Sequence, residues 1–270
     1  LNISRIFNTL FKPLLEILPE NNRLERIWLI AKVDFNKRYN ENGLGLLWAL
    51  INPLFRLLLF YVVFVVFFEY DIPNFHLYFF SGLIIWLFFV ESTKKSLNIL
   101  GSKKYIYENI RINKVDLFIG SCLAVSIGFL FNFCAYIAIT YITGVHLTLY
   151  ALFFPLLFIN LFIVVLGINL MLSTINIYVK DVNNFWDLVV FAGFWISPIL
   201  LRGDKIVEYI PVLPYINPVH GLINNFRAVM FEGTSPDWYW FAYNFLTALV
   251  LLVISYYFFK KYSTKSTEKL

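Results

Sequence analysis

Charge is what this 270-residue chain has least of: 14% of its residues are Asp, Glu, Lys or Arg, and none falls between Leu117 and Val179. With 60% hydrophobic residues, the composition excludes a water-soluble globular domain, in which about a quarter of residues are charged. Only two cysteines occur, Cys122 and Cys134, in one apolar stretch. Twelve residues of helix would hold them roughly 18 Å apart, too far for a disulfide within it, and packing is their expected role. The three histidines, His76, His146 and His220, stand far apart beside turns, so no zinc or other metal centre is expected. There is no G-x-x-x-x-G-K-[ST] loop, so the chain does not itself cradle ATP phosphates. Residues 1–20 lack a continuous apolar core ending in small residues, and no cleavable leader is expected.

The charge that is present is sorted. Lys and Arg crowd the segment before Gly45, the stretch from Lys94 to Lys114, Lys180, and the region from Lys260 onward. Positive charge is retained on the cytoplasmic side of membranes, so both termini are expected inside the cell, with an even number of crossings. The net charge of +5 then reflects orientation and contact with an anionic inner leaflet. No basic patch interleaved with aromatics lies outside the juxtamembrane positions, and nucleic acid is not expected as a partner.

Hydropathy gives an all-α membrane protein of six spans, at about 45–68, 75–93, 117–142, 147–179, 185–201 and 239–259. These make one membrane domain, 45–259, between a cytoplasmic segment 1–44 and a tail 260–270. The uncharged stretch would measure roughly 95 Å as helix, about three bilayer cores, so it must fold back once. Thr143-Gly144-Val145-His146 is the natural turn. Span five is short and interrupted by Pro198. The stretch from Arg202 to Trp238 carries Pro211, Pro214, Pro218 and Pro236 and reads as re-entrant or interfacial helices on the periplasmic face.

Ahead of the spans, Ile3, Phe7, Leu10, Leu14 and Ile17 recur at helical spacing. A second pattern places Leu24, Ile27, Trp28, Ala31, Phe35 and Tyr39 on one face, with Arg23, Lys32, Lys37 and Arg38 beside it and Leu29, Ile30 and Val33 off it. Such a helix lies in the bilayer interface; the alternative is a soluble helix packed on a partner. Two charged residues come nearest to span interiors. Arg56, three residues after Pro53, snorkels to the inner surface or meets a phosphate there. Asp187 sits where the N-terminus of span five favours an anion.

A membrane body without a nucleotide loop or a relay of buried carboxylates needs work from outside. Residues 94–116 combine Lys103, Lys104, Glu108 and Arg111 with Tyr105, Ile106 and Tyr107, which suits a docking surface; the plainer reading is a positive-inside loop. Aromatics reach 20%. Most belong to lipid-facing surfaces and interfacial belts, but aromatic faces also stack on sugar rings.

The string RYNENGLGLLWALINPL at 38–54, after a basic amphipathic helix, resembles the membrane subunits of ABC-2 type exporters, especially permeases that export O-antigen and teichoic-acid polymers. KKYIYENIRINKVDLF (103–118), YVKDVNNF (178–185), FWISPIL (194–200) and INPVHGLINNFRAVM (216–230) follow in the family's order. Lys180-Asp181 departs from the Arg-Asp common there, which keeps the charge but loses the planar fork. The resemblance implies a homodimer served by two copies of a separate ABC ATPase, which binds the ATP and Mg while this chain carries no cofactor. It implies residence in the bacterial cytoplasmic (inner) membrane, among its lipids, and a glycan cargo on undecaprenyl pyrophosphate. Lys103, Lys104, Tyr105, Tyr107, Glu108, Arg111, Lys180 and Asp181 would couple to the ATPase. Trp48, Arg56, Tyr61, Tyr78, Trp86, Phe89 and Trp195 would line the cargo path, with Arg38 and Arg56 at its pyrophosphate entrance. Rival readings are an ABC-2 permease for a small amphiphile, an ion-coupled carrier, and a membrane glycosyl- or acyltransferase built around Arg202–Asp204 and Asp237.

The charge pattern makes a topological prediction. Single cysteines at Ser102 and Thr267, in a cysteine-free background, should resist a membrane-impermeant thiol reagent in intact cells, whereas one at Gly203 should be labelled. Labelling at position 102 overturns the orientation.

Overall fold

The structure is a computed structural model that describes residues 23–39, 45–109 and 112–266, with side chains to Tyr262. The expected helix within residues 1–22, Arg111, and the last tail residues lie outside the described residues. Twelve α-helices follow in order: α1 (Arg23–Tyr39), α2 (Trp48–Tyr61), α3 (Phe75–Leu97), α4 (Ile99–Ser102), α5 (Lys104–Asn109), α6 (Lys114–Ile142), α7 (Phe154–Tyr178), α8 (Val182–Ile196), α9 (Gly203–Tyr209), α10 (Leu213–Ile216), α11 (His220–Arg227) and α12 (Trp238–Ser266). Among the described residues there is no strand.

Among the described residues, five helical stretches are long and apolar enough to cross a bilayer: Gly45–Phe67, Phe75–Leu97, Lys114–Ile142, Leu149–Tyr178 and Trp238–Tyr262. The sixth apolar helix, α8, has 15 residues, roughly 22 Å at helical rise, short of a hydrocarbon core of about 30 Å. It stops at Ile196 because Pro198 follows, and Ser197 turns extended. The expected span 185–201 is therefore a helix only in part. A second turn falls at Thr143–Gly144, where Gly144 adopts φ 75°.

The long helices alternate in direction, so the basic loops collect at one end of the bundle and α9–α11 at the other. α3 is the central post. Phe79, Phe80, Leu83, Ile84 and Phe88 are buried on successive faces, and α2, α6, α7, α8 and α11 pack against it. α2 is the opposite case: Leu54, Phe55, Leu58 and Leu59 are exposed along one side.

α1 does not lie free. It packs along α6, burying Ile27, Ile30, Ala31, Asp34, Phe35 and Tyr39, while Leu24 is exposed. This shifts the expected stripe: Ile30 joins it and Leu24 leaves. The cause is on α6, where Gly120, Ala124 and Gly128 follow at four-residue spacing and let the backbones approach, as small residues do between membrane helices. A Cβ on Gly120 would stand 2.7 Å from Ile30 Cγ2 and 2.9 Å from the Ile27 carbonyl; one on Gly128 would stand 2.8 Å from the Tyr39 hydroxyl.

At the far end, Arg227 of α11 is buried and ties two elements together. Its Nε and Nη2 donate to the Tyr78 carbonyl (3.2 and 3.0 Å), Nη2 also to the Ile199 carbonyl (3.1 Å), and the guanidinium lies 3.5 Å from the Tyr78 ring centroid. A charge taken out of water needs such a complete set of acceptors.

Gly120→Val should therefore cost about 1–3 kcal/mol by overpacking and lift α1 from α6. Thermal unfolding of the purified protein, with protease cleavage at Arg26 and Lys32, reads both effects. Unchanged melting and protection would refute the groove.

Candidate functional site

At the basic end, α1, α2, α3, α6 and the α4–α5 turn enclose a cleft of about 800 Å³. Its walls carry six cations, Lys37, Arg38, Arg56, Lys94, Lys95 and Lys103, against two carboxylates, Asp34 and Glu91. Trp48, Pro53, Leu87 and Val90 supply its apolar lining. Helical spacing explains the convergence: Trp48, Asn52 and Arg56 succeed one another at four-residue steps on α2, and Leu87, Glu91, Lys94 and Lys95 share one side of α3.

Four of the cations are held by acids. Arg38 pairs with Glu91 through Nη2 to Oε2 at 2.6 Å and rests 4.8 Å from the Tyr39 ring centroid. Lys94 reaches Asp187 of α8 at 2.5 Å. Lys103 donates to Asp34 at 2.7 Å and to Ser121 at 2.9 Å, and Lys95 stands 3.4 Å from the same carboxylate oxygen. Ser121 also donates to Asp34. Among the described residues, neither Lys37 nor Arg56 has an acidic partner. Burial pushes the Asp34 carboxyl up, but Lys103, Lys95 and the Ser121 hydroxyl outweigh it, leaving the group below its usual 3.8. Burial depresses the Lys103 ammonium, and Asp34 offsets only part of this. The cleft is thus a positively charged, partly apolar recess with two uncommitted cations. Chemically it suits an anion of high charge density attached to something apolar.

The structure redistributes the residues singled out in the sequence. Arg38, Arg56 and Trp48 come together in the cleft, with Lys103, which was expected on the docking surface. Lys103 is instead 11% exposed and committed to Asp34. Lys104 and Glu108 form an i,i+4 pair at 3.8 Å on the outside of α5, and Tyr105 is 79% exposed. Tyr107 donates to the Leu100 carbonyl at 3.1 Å. Lys180 and Asp181 are exposed in the turn between α7 and α8. Of the expected path aromatics, Trp48, Tyr61 and Trp195 are exposed on α2 and α8, whereas Tyr78, Trp86 and Phe89 are buried within this chain's own core. Trp86 packs 5.3 Å from Phe89 and fills the space over Gly193; the Tyr78 hydroxyl donates to the Leu201 carbonyl. In this conformation Trp86 and Phe89 are packed within the core around α3, and Tyr78 lies at its far end, at the edge of a second cavity.

Asp34, Glu91, Lys95 and Ser121 were not foreseen. An acid at position 34, three residues after Ala31 on the apolar face of α1, was the available signal. A cluster of asparagines was missed as well. Asn176 donates to the Leu97 carbonyl (2.8 Å) and to Asn98 (3.2 Å), Asn183 donates to Asn176 (2.6 Å), and Asn98 donates to Asn183 (3.3 Å). This closed triangle joins the ends of α3 and α7 to the start of α8, directly beside Lys180-Asp181. Asn183 belongs to the YVKDVNNF string already noted.

The sequence profile of the ABC-2 type transporter family matches residues 25–231. Among curated relatives, two O-antigen export system permease proteins RfbA of Klebsiella pneumoniae are 25% and 24% identical over 243 residues, covering 90% of this chain and 93% of each relative. The protein of the same name from Myxococcus xanthus is 21% identical over 210 residues, 77% of this chain and 81% of its own.

Asp34→Asn should destabilise the protein by about 3–5 kcal/mol, because it strands the buried Lys103, and Lys103→Met added to it should recover part of the loss. The pH dependence has a defined sign. Asp34's pKa is lower folded than unfolded, so its stabilisation is full above the unfolded value near 3.8 and is lost as pH falls through the lower folded one. Melting curves of wild type and D34N should converge in that acid range; parallel curves would exclude the pair as a support.

Proposed function

The chain belongs to the ABC-2 type transporter family, and from that premise we propose that it is the membrane subunit of an ATP-driven exporter of lipid-linked polysaccharide. The observation that carries the reading is the basic cleft, which places uncommitted cations beside apolar walls at the end of the bundle where the loop helices α4 and α5 lie. A polyprenyl pyrophosphate presents that combination of dense negative charge and hydrocarbon. The names of the relatives supply the cargo class, a surface glycan of the O-antigen kind.

In this reading the basic end faces the cytoplasm of a bacterium, both termini lie inside, and Arg56 and Lys37 receive the pyrophosphate with Arg38 beside them. Arg56 contributes a planar fork able to take two phosphate oxygens, and Lys37 a point charge. One chain with five full-length apolar helices and a short sixth encloses no channel wide enough for a glycan, so two copies would form the path between them. The exposed side of α2 and the outer face of α8 would meet the partner copy, setting Trp48, Tyr61 and Trp195 along the path. Two copies of a separate ABC ATPase, holding ATP and Mg, would dock on Tyr105, Lys104 and Glu108 and on the Lys180-Asp181 turn. The asparagine triangle would deliver their movement to α3, α7 and α8 as one body.

Two substitutions test this reading at its two ends. Arg56→Ala should lower export of the lipid-linked glycan about tenfold or more by removing a charge-assisted pair, with Arg56→Lys intermediate. Tyr105→Glu with Lys104→Glu should reduce co-purification of the ATPase while leaving membrane insertion intact. Full export by R56A together with undiminished ATPase recovery by the double variant would defeat both assignments.

A further inference from the structure

The opposite end of the bundle holds a second cavity, of about 790 Å³, between the N-terminal turn of α3, the short helices α9 and α11, and the start of α12. Its charge is organised differently from that of the basic cleft. Two of its lining residues are arginines, and both are spent. Arg202 lies in a bidentate pair with Asp204, at 3.2 and 3.1 Å, and Arg227 is turned into the carbonyls of Tyr78 and Ile199. Among the groups left lining the cavity are the carboxylates of Glu232 and Asp237, the amide of Asn224 and the hydroxyls of Thr234 and Ser235. His220 also belongs to the lining, but it is only 2% exposed, and its Nδ1, which has no hydrogen-bond partner among the described residues, is closed off from the cavity.

The remaining wall is aromatic. Trp240 lines the cavity, half-buried, and is held by Tyr215 at 5.0 Å and Tyr243 at 5.8 Å between ring centroids. Tyr243 donates to the Tyr215 carbonyl at 3.0 Å, which fixes the group. Belts of Trp and Tyr are common at membrane surfaces. Here the indole also forms one wall of a polar recess. Asp237 holds it in place by capping α12, accepting from the backbone N–H groups of Tyr239 and Trp240.

We infer that this cavity is a saccharide-binding site that takes an uncharged, hydroxyl-rich stretch of glycan. A fixed aromatic plate meets the CH face of a sugar ring, while carboxylates accept from its hydroxyls and an amide accepts from or donates to them. A phosphate-bearing polymer finds Arg227 buried, Arg202 already paired with Asp204, and two further carboxylates that repel it. The inference rests on the export reading above and narrows its cargo: the charged lipid head belongs to the basic cleft, and the sugar chain is neutral where it meets the far end.

The test uses the full-length protein in lipid nanodiscs. The probe is the producing strain's own surface polysaccharide, released from its lipid by mild acid, with oligo(glycerol phosphate) as the anionic comparison. Saturable binding of the polysaccharide is expected, weakened about tenfold by Trp240→Ala, as loss of an aromatic contact implies, and largely retained by Trp240→Phe. Glu232→Gln, an exposed position that should fold normally, should also weaken binding. The inference is overturned by absence of binding, by equal affinity in W240A and E232Q, by tighter binding of oligo(glycerol phosphate), or by a surface polymer built of phosphodiester repeats. A deletion strain separates the two claims. If it still displays its polysaccharide, the export reading itself fails. If display is lost but binding does not depend on Trp240, this inference alone fails.

Discussion

The contact between Asp34 and Lys103 is the constraint on which the basic end depends. α1 is a short amphipathic helix; alone in water such a helix is marginal, and it gains its place from α6. The groove of Gly120, Ala124 and Gly128 provides the fit, but small residues leave the register open by a turn. Asp34 closes that freedom, because its carboxylate must meet Ser121 on α6, Lys103 before α5 and Lys95 on α3 at once. Four elements are thereby pinned around one buried charge. Removing it would free two cations, so the acid both builds the cleft and limits its positive charge.

The two cavities show how one helical bundle presents different chemistry at its ends. Both have volumes near 800 Å³, and both contain arginine. They differ in whether the cations are committed. In the basic cleft Arg56 and Lys37 have no acidic partner among the described residues. At the far end Arg202 is neutralised by the residue two positions away, and Arg227 is absorbed into structure. Arg227 is thus an architectural cation: it holds the broken backbone after Pro198 against α3, satisfying the Ile199 carbonyl that α8 can no longer engage. Gly82 is the complement of that arrangement, since a Cβ there would come within 3.0 Å of Nη2 and 3.2 Å of Ile199 Cα.

The apolar runs and the charge pattern were enough to locate the helices, because twenty-residue hydrophobic segments and turns such as Thr143–Gly144 are local properties. The proline-rich stretch 202–238 likewise announced short helices. What local reading missed was direction. The span containing α2 is the more apolar of the two in sequence, yet α3 is enclosed and α2 is exposed, since lipid accepts an apolar face as readily as protein does. The burial of Trp86, Phe89 and Tyr78 beside an exposed Trp48 is therefore not legible in the sequence. Lys103 was misplaced for a related reason: a cation in a loop reads as solvent-exposed, and its partner lies 69 positions away.

The shortness of α8 gives the arrangement its mechanical sense. A helix that ends at Ile196 passes no rigid rod through to the far end; it is fixed at the basic end through Asn183 and Lys94–Asp187, and beyond Pro198 the chain is held by Arg227. α8 also has few buried residues, Val190 alone within the helix, so little core packing opposes its tilting. A displacement applied at the Lys180-Asp181 turn would therefore be shared with α3 and α7 through the asparagine triangle before it reached the exposed Trp195. The side chains that define the basic cleft sit on α1, α2, α3, α6 and the α4–α5 turn, and Lys94 is the cation among them paired with α8. Movement of α8 would loosen or tighten that single pair and so alter the cleft's free positive charge without dismantling Asp34. Coupling between the loop end and the cleft then requires no long-range rearrangement of the core: one ion pair, made by two residues on adjacent helices, joins the two.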